Sequence, residues 1–131
     1  DCPHGLPGVE TRVGLVLAEG LQRRIDIRRL VETLSTRAAR WYGFYPRKGT
    51  LLPGSDADLA VWDVRRRTVV HYADLHMGCD WTPFEGLVSL APPRLVLVRG
   101  RAVAGPDVEV PDGWGEFIPR GGSTSPEDVR G

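Results

Sequence analysis

The sequence is poor in methionine and cysteine, and each shortage limits what the chain can be. Methionine occurs once, at Met77, and residue 1 is aspartate, so we expect a fragment or a processed product. The two cysteines, Cys2 and Cys79, have no C-x-x-C spacing and are too few for a disulfide framework. This cysteine usage predicts a reducing, cytoplasmic environment.

The sequence also lacks a net charge and long apolar runs. Seventeen basic and seventeen acidic residues cancel, which removes the electrostatic attraction that nucleic acids and anionic membranes exert on basic proteins. We therefore interpret the run Arg65-Arg66-Arg67 as a solvated turn. No apolar stretch approaches the roughly 20 residues that a membrane helix needs. We expect neither a nucleic acid nor a membrane as a partner.

Motifs of several common catalytic sites are absent from the sequence. There is no G-x-S-x-G turn for a nucleophilic serine, and no G-x-G-x-x-G or phosphate loop for a nucleotide. Four potential metal ligands lie close together, but their spacing matches no standard zinc pattern. They are His71, His76, Cys79 and Asp80. We interpret them as polar residues of a surface connection, with a metal site as the alternative.

The chain begins with a loop and then becomes helical. Residues 2–8 hold two prolines and two glycines and are predicted to form a shaped loop. Apolar residues at helical spacing predict an amphipathic helix over residues 9–22, weakened by Gly14. Two further helices are predicted over residues 27–34 and 37–42. We expect Ser35 or Thr36 to cap the second of these, and Gly43 to end it in a left-handed conformation.

Beyond residue 43 the sequence changes to turns and short β-like runs, which predicts a domain boundary there. Strands are predicted over residues 59–63 and 68–72, as neighbours, and residues 95–104 predict a hairpin. These runs are too few to close a sandwich or barrel, so we expect their partners in sequence outside this chain. Residues 121–131 are predicted to be disordered.

Three groups of side chains could carry chemistry. Asp56 and Asp58 precede a predicted strand, and we interpret them as acceptors for turn amides, with acid–base work as the alternative. His4 could act as an acid or base, since the pKa of histidine lies near neutrality. The aromatic side chains are interpreted as core or interface residues rather than a stacking surface for a ligand. They are Trp62, Trp81, Phe84 and Trp114.

Short blocks of sequence follow one another in a distinctive order. They are Gly5-Leu6-Pro7-Gly8-Val9-Glu10-Thr11-Arg12, Leu34-Ser35-Thr36, Tyr45-Pro46-Arg47-Lys48-Gly49-Thr50, Gly54-Ser55-Asp56-Ala57-Asp58 with Trp62-Asp63, Leu75-His76, Cys79-Asp80, Thr82-Pro83-Phe84-Glu85-Gly86, and Gly115-Glu116-Phe117-Ile118-Pro119-Arg120. In order and spacing they resemble the hydantoinases and dihydropyrimidinases, a family of cyclic amidohydrolases. The resemblance covers nearly everything from Cys2 to Arg120.

The resemblance implies an α/β fold, a (β/α)8 barrel with a flanking β-sandwich built from both ends of a longer chain. Residues 1–42 would be the last loop and helices at the C-terminal end of the barrel. Residues 43–110 would be the C-terminal strands of the composite sandwich, and residues 111–131 a tail. The unpartnered strands then have partners in an N-terminal segment of the family.

The resemblance also implies an activity, the hydrolytic opening of a cyclic amide or ureide at two metal ions, usually zinc, in a homotetramer. The family's metal ligands and its proton-transferring aspartate lie upstream, so we assign no catalytic residue and no metal ligand here. We expect this chain alone to be inactive. The alternatives are a non-catalytic scaffold, as in the collapsin response mediator relatives, and a truncated gene product.

One binding position is carried over from the family. A loop of these enzymes contacts the substrate ring through main-chain atoms of its middle residue, which corresponds to His4. Relatives carry asparagine there, but a main-chain contact survives a change of side chain. The resemblance therefore implies substrate binding by the main chain of His4, with Pro3 and Gly5 shaping the loop.

Overall fold

The computed structural model describes residues 5–104, 108 and 110–120. The chain divides into two compact units, each built from two stretches of sequence. Among the described residues, unit 1 combines residues 5–27 with residues 62–92, and unit 2 combines residues 28–61 with those described from Pro93 to Arg120. Each unit therefore joins an early helical stretch to strands that lie far away in the sequence.

Helices precede strands along the described chain. The helices are α1 (Arg12–Gln22), α2 (Ile27–Val31) and α3 (Arg37–Trp41), with a π-helical turn at Glu32–Thr36 and a 3-10 turn at Tyr72–Asp74. The strands are β1 (Leu59–Val61), β2 (Arg67–Val69), β3 (Val88–Leu90), β4 (Leu95–Val98) and β5 (Arg101–Ala104). None of the described helices has the length and apolar character needed to cross a membrane.

In unit 1, α1 packs against β3, and β3 pairs with β2 in an antiparallel ladder. The face of α1 that is buried carries Gly14, Leu17 and Ala18, which recur at the three- and four-residue spacing of a helical stripe. Leu90 of β3 is 2% exposed and Val70 is 5% exposed. The predicted amphipathic helix is confirmed, although it begins at Arg12 rather than at residue 9.

In unit 2, the sheet has the order β1-β4-β5, and both pairings are antiparallel. The β4–β5 hairpin turns at Arg99 and Gly100, whose φ angles are both positive, at 49° and 79°. A turn with two positive φ angles matches the twist of a two-residue hairpin, and Gly adopts such angles without steric cost. The predicted hairpin is confirmed.

One predicted strand pairing is wrong. The strand predicted over residues 68–72 was expected beside that over residues 59–63, but β2 pairs with β3, and β1 pairs with β4. Leu59 lies opposite Leu97, a partner that is remote in the sequence. The β3 strand has only three residues and was not predicted, because so short a run gives little periodic signal.

The predicted break between the second and third helices is also wrong. Thr36 (φ −61°, ψ −46°) and Arg37 (φ −64°, ψ −43°) both have helical dihedral angles, so α2, the π-helical turn and α3 follow one another without interruption. Thr36 forms no side-chain cap, and its hydroxyl donates instead to the carbonyl of Gly49, 2.7 Å away. The predicted left-handed Gly43 is confirmed, with φ 71°.

Candidate functional site

The predicted substrate loop lies only partly within the described residues. Pro3 and His4 fall outside them, and Gly5 is the first residue that the structure describes. Gly5 has φ 109°, and a Cβ placed on it would meet no heavy atom within 4 Å. The need for glycine at this position is therefore conformational, because L residues rarely adopt such a φ.

The stretch from Gly5 to Gly8 leads directly into α1. The carbonyl of Gly8 accepts the amide of Arg12 at 3.1 Å and the hydroxyl of Thr11 at 3.4 Å. Thr11 is 5% exposed. The ring of Phe84 lies over Gly8, with its Cε2 atom 3.1 Å from the place of a Cβ there. Phe84, an expected core or interface residue, thus covers the loop that precedes α1.

Glu10 binds His76 through both carboxylate oxygens. Its Oε2 accepts the main-chain amide of His76, and its Oε1 lies 2.8 Å from the ring Nδ1. The hydrogen bond to Glu10 and its charge raise the pKa of His76. Burial alone would raise the pKa of Glu10, but the hydrogen bonds from His76 outweigh it and the net pKa is lowered.

Glu85 makes a related arrangement at the other end of the 3-10 turn, with its two bonds coming from two residues. Its Oε2 accepts the amide of Tyr72, and its Oε1 lies 2.8 Å from Nδ1 of His71. The hydrogen bonds from His71 and then Tyr72 lower the pKa of Glu85. The two histidines of the alternative metal hypothesis are therefore each bound to a separate carboxylate.

The described residues do not fit a metal centre. Among them, no three histidine, cysteine, aspartate or glutamate side chains come close enough together to hold an ion. Cys79 is an exposed free thiol, and Asp80 is also exposed. The part of the chain that is described therefore offers no ligand set for the paired metal ions that the family resemblance implies.

Asp56 and Asp58 form an ion network in unit 2 rather than a local turn motif. Asp56 accepts Nε of Arg47 at 2.9 Å and pairs with Nζ of Lys48 at 2.8 Å. Asp58 also pairs with Lys48, and it accepts the main-chain amide of Arg99 at 2.8 Å. The expected turn-amide role is thus wrong for Asp56. Asp58 does accept a turn amide, but that amide belongs to Arg99 in the distant β4–β5 hairpin.

Trp114 packs beside two arginines of the same unit. Its ring centroid lies 4.6 Å from Cζ of Arg99 and 5.3 Å from Cζ of Arg101. Its Nε1 donates to the carbonyl of Val98 at 3.3 Å. These contacts hold the segment around residue 114 against the β4–β5 hairpin, in agreement with a packing role for this aromatic residue.

Sequence reasoning missed the contacts that bring the blocks together. Glu10 pairs with His76 across 66 residues, and the ring of Phe84 covers Gly8. Each of these residues lies in a block quoted for the family resemblance, but nothing in their spacing indicates which blocks meet. The described part of the candidate site is therefore the Gly5-to-Glu10 stretch together with the two residues that contact it, His76 at Glu10 and Phe84 at Gly8.

Comparison with known proteins extends this picture. Residues 9–103 match the sequence profile described as the amidohydrolase family. The chain is 37% identical over 120 residues to a D-hydantoinase of Geobacillus stearothermophilus, covering 90% of this chain and 26% of that protein. It is 39% identical over 103 residues to a D-phenylhydantoinase of Escherichia coli O1:K1, covering 78% of this chain and 22% of that protein.

Solved structures show the same similarity. A D-hydantoinase (dihydropyrimidinase) from Thermus sp. superposes with a TM-score of 0.83 at 40% identity, over 90% of this chain and 26% of that one. An L-hydantoinase (dihydropyrimidinase) from Arthrobacter aurescens gives a TM-score of 0.80 at 37% identity, over 88% of this chain and 26% of that one. This chain spans about a quarter of the length of these relatives. The chain therefore belongs to the amidohydrolase family, in the group that contains the hydantoinases and dihydropyrimidinases.

Proposed function

We propose that this chain is the C-terminal portion of a metal-dependent hydrolase that opens cyclic amides of the hydantoin or dihydropyrimidine type by cleaving a C–N bond. The observation that carries the proposal is the likeness to the Thermus sp. D-hydantoinase, at 40% identity over 90% of this chain. Similar proteins include both D- and L-hydantoinases, so the proposal names the ring class and leaves the handedness of the substrate open.

The proposed place of this chain in the longer protein follows the family architecture. Residues 1–42 form the last loop and helices of the barrel, residues 43–110 the C-terminal strands of the sandwich, and residues 111–131 a tail. Large apolar side chains are exposed in the described chain, including Val9 at 84%, Leu51 at 82% and Phe117 at 88%. Single exposed apolar side chains are normal, but extensive apolar surface marks an interaction surface, and many large apolar side chains are exposed among the described residues. This supports neighbours supplied by the rest of the polypeptide and by a homotetramer, whose proposed location is the cytoplasm.

The proposed contribution of this chain to the active site is one wall of the substrate pocket. The main chain of His4 contacts the ring, and Pro3 and Gly5 shape the loop. The φ of 109° at Gly5 supports an unusual loop conformation at this point. Two divalent ions, zinc by family resemblance, are held by upstream residues of the longer protein, and this chain contributes no ligand.

The proposal is tested on the complete gene product that carries this sequence. We expect it to convert hydantoin or dihydrouracil to the ring-opened N-carbamoyl amino acid, measured by chromatography of the product. The 131-residue chain, assayed in parallel, should show no turnover. A complete gene product that opens neither ring, nor the 5-phenyl derivative of hydantoin, would overturn the proposal and favour the non-catalytic scaffold.

The role of the loop is tested by two matched glycine substitutions. Gly5→Ala places a side chain at a φ of 109°, whereas Gly115→Ala places one at an ordinary φ, and both sites are open within 4 Å. We expect Gly5→Ala to raise KM for the ring about tenfold, because loss of a ground-state contact appears mainly in KM. Gly115→Ala should change KM less than twofold. Equal effects of the two substitutions on KM would contradict the proposal that this loop is part of the substrate pocket.

A further inference from the structure

We infer that His76 and Phe84 are positioning residues, which hold the main chain of the Gly5-to-Glu10 stretch through Glu10 and Gly8. The inference rests on the proposed function, in which the loop that precedes this stretch is one wall of the substrate pocket, and it states which residues hold that stretch in place. Neither residue is proposed to touch the substrate. Each acts on a different point of the Gly5-to-Glu10 stretch, which follows His4 directly in the sequence.

The first support is the pairing of Glu10 with His76. Both oxygens of Glu10 are engaged, one by the amide of His76 and the other by its ring. A carboxylate that accepts two hydrogen bonds from one residue is fixed in direction as well as in position. The side chain of His76 is 91% exposed and that of Glu10 33% exposed, so the pair adds little to global stability and its effect is on the local geometry of Glu10. Glu10 lies immediately before Thr11 and α1, so this pairing fixes the downstream end of the loop.

The second support is the ring of Phe84 over Gly8. The ring lies close enough that a Cβ at residue 8 would be 3.1 Å from Cε2. The amide of Phe84 donates to the hydroxyl of Thr82, which is 7% exposed. Glycine at position 8 therefore admits an aromatic ring against the main chain, a contact that any side chain at this position would disturb.

The segment that carries both supports is itself anchored to the sheet of unit 1. Val70 donates its amide to the carbonyl of Leu87 at 2.9 Å and accepts the amide of Gly86 at 2.8 Å. Val70 follows β2 directly, and Leu87 precedes β3. Both supports therefore lie in the connection between β2 and β3, and these bonds join its two ends beside the paired strands.

The pairing at Glu10 is charge-dependent, which gives it a measurable signature. The charge that acts on His76 is that of Glu10, and the charge that acts on Glu10 is that of His76. Because the pKa of His76 is raised above its ordinary 6.5, its ionic contribution is complete below that ordinary value, as long as Glu10 stays ionised, and is lost as the pH rises through the raised pKa. The loop should therefore be held less firmly at a pH above the raised pKa of His76.

The chain offers a matched control for this pairing. His71 makes the same contact with Glu85, at the same distance of 2.8 Å, on the other side of the 3-10 turn. Glu85 accepts its second hydrogen bond from Tyr72. The two pairings thus share chemistry and distance, although the His71 side chain is 54% exposed and that of His76 is 91% exposed. Only the pairing of His76 reaches the stretch that follows His4.

The kinetic test compares His76→Gln, Glu10→Gln and Phe84→Leu with His71→Gln in the complete gene product. We expect the first three to raise KM about fivefold with kcat changed less than twofold, since they loosen a binding wall and leave the reacting groups in place. The wild-type KM should also rise toward alkaline pH, and this limb should disappear in His76→Gln but persist in His71→Gln. Equal effects of His76→Gln and His71→Gln would overturn the inference.

A second measurement separates this inference from the proposed function. Hydrogen exchange, followed by mass spectrometry of the peptide that spans residues 5–12, reports on the loop without any substrate. We expect faster exchange in His76→Gln and unchanged exchange in His71→Gln. Unchanged exchange in His76→Gln would overturn the positioning role even in an active enzyme. Faster exchange in a protein that opens no ring would support the positioning role while overturning the proposed function.

Discussion

Gly14 of α1 and Ser89 of β3 are so close that a Cβ on residue 14 would overlap the hydroxyl oxygen of Ser89. The same Cβ would lie 3.3 Å from the carbonyl oxygen of Leu90. Glycine within a helix usually lowers stability by about 1 kcal/mol relative to alanine. From the sequence alone, Gly14 is therefore predicted to weaken α1. In the folded unit, the missing side chain is what allows α1 to contact β3.

Gly14→Ala should therefore destabilise the protein although alanine is the better helix former. Overpacking of this kind costs about 1–3 kcal/mol, which exceeds the gain in helix propensity. Urea unfolding of the complete gene product, followed by far-ultraviolet circular dichroism, measures the change in midpoint. Gly115→Ala is the control, because a Cβ at that site would meet nothing within 4 Å.

The hydroxyl of Ser89 provides a direct check of this mechanism. If overlap with this oxygen is the cause, Gly14→Ala combined with Ser89→Ala should recover a large part of the stability that Gly14→Ala loses, because contacting residues couple in double mutants. Simple addition of the two single effects would contradict the proposed overlap. An increase in stability for Gly14→Ala alone would contradict the close approach of α1 and β3.

Asp56 should make the stability of the protein sensitive to acid. The hydrogen bond from Lys48, followed by that from Arg47, lowers the pKa of Asp56 from its usual 3.8. A lowered carboxyl pKa contributes stability that is present above the ordinary value and is lost as the pH falls through the lowered one. Unfolding midpoints measured from about pH 5 down to about pH 2 should fall less steeply in Asp56→Asn than in the wild type.

Glu19→Gln is the control for the acid series. Glu19 pairs with Arg23 on the outer face of α1, where both side chains are more than half exposed, at 56% and 73%. Exposed pairs of this kind contribute little to stability. The unfolding midpoint of Glu19→Gln should therefore fall with decreasing pH as steeply as that of the wild type. The same slope in Asp56→Asn and the wild type would contradict a stabilising role for the Arg47, Lys48 and Asp56 network.

The hydroxyl of Thr36 ties the helical stretch of unit 2 to the loop at Gly49. It donates to the Gly49 carbonyl at 2.7 Å, and a Cβ at Gly49 would lie 2.5 Å from that of Ala39. Thr36→Val keeps the shape of the side chain but leaves a partly buried carbonyl without this donor, which costs about 1 kcal/mol. Thr33→Val is matched to it, because Thr33 is exposed and donates only to its own helix at Arg29.

Thermal unfolding of the two threonine variants measures how much the hydrogen bond from Thr36 to Gly49 contributes to stability. We expect a lowered midpoint for Thr36→Val and a midpoint near the wild-type value for Thr33→Val. An equal drop in both would mean that the loss comes from helix propensity, since valine is equally β-branched at both sites. The tie between Thr36 and Gly49 would then contribute nothing measurable.

These contacts explain what the sequence could and could not predict. The α1 helix and the β4–β5 hairpin were predictable, because helical spacing and the Arg99-Gly100 turn are local signals. Thr36 was misassigned as a cap, because threonine favours caps in general and its actual acceptor, Gly49, lies 13 residues away. Local patterns carry no information about such a partner.

The candidate site shows the same division between local and remote information. Gly5 and Gly8 stand out in the sequence as loop residues, and family resemblance implies a substrate role beside them. The supports of the loop did not stand out, since Glu10 precedes a helix and Phe84 follows a proline, both ordinary settings. Residues 8–10 meet the segment of residues 76–84 in the unit where α1 packs on β3, and that packing joins parts of the chain that are remote in the sequence.

Trp114 should fasten the segment around it to the β4–β5 hairpin. Its ring lies beside the guanidinium groups of Arg99 and Arg101, and its Nε1 donates to Val98. Interactions of arginine with an aromatic face contribute about 0.5–2 kcal/mol, depending on burial. Trp114→Ala removes the ring contacts and the hydrogen bond, so hydrogen exchange of the peptide over residues 110–120 should accelerate several-fold.

Trp114→Phe separates the two kinds of contact. Phenylalanine keeps an aromatic face for the arginines but has no donor for the Val98 carbonyl, a loss of about 1 kcal/mol. We expect exchange of the same peptide to lie between that of the wild type and that of Trp114→Ala. If Trp114→Phe exchanged as fast as Trp114→Ala, the Nε1 hydrogen bond would account for the whole contribution of the Trp114 side chain, beside the bonds of Arg99 to the main chain of residue 114 and of Arg47 to Glu116. If it matched the wild type, the arginine contacts would suffice without it.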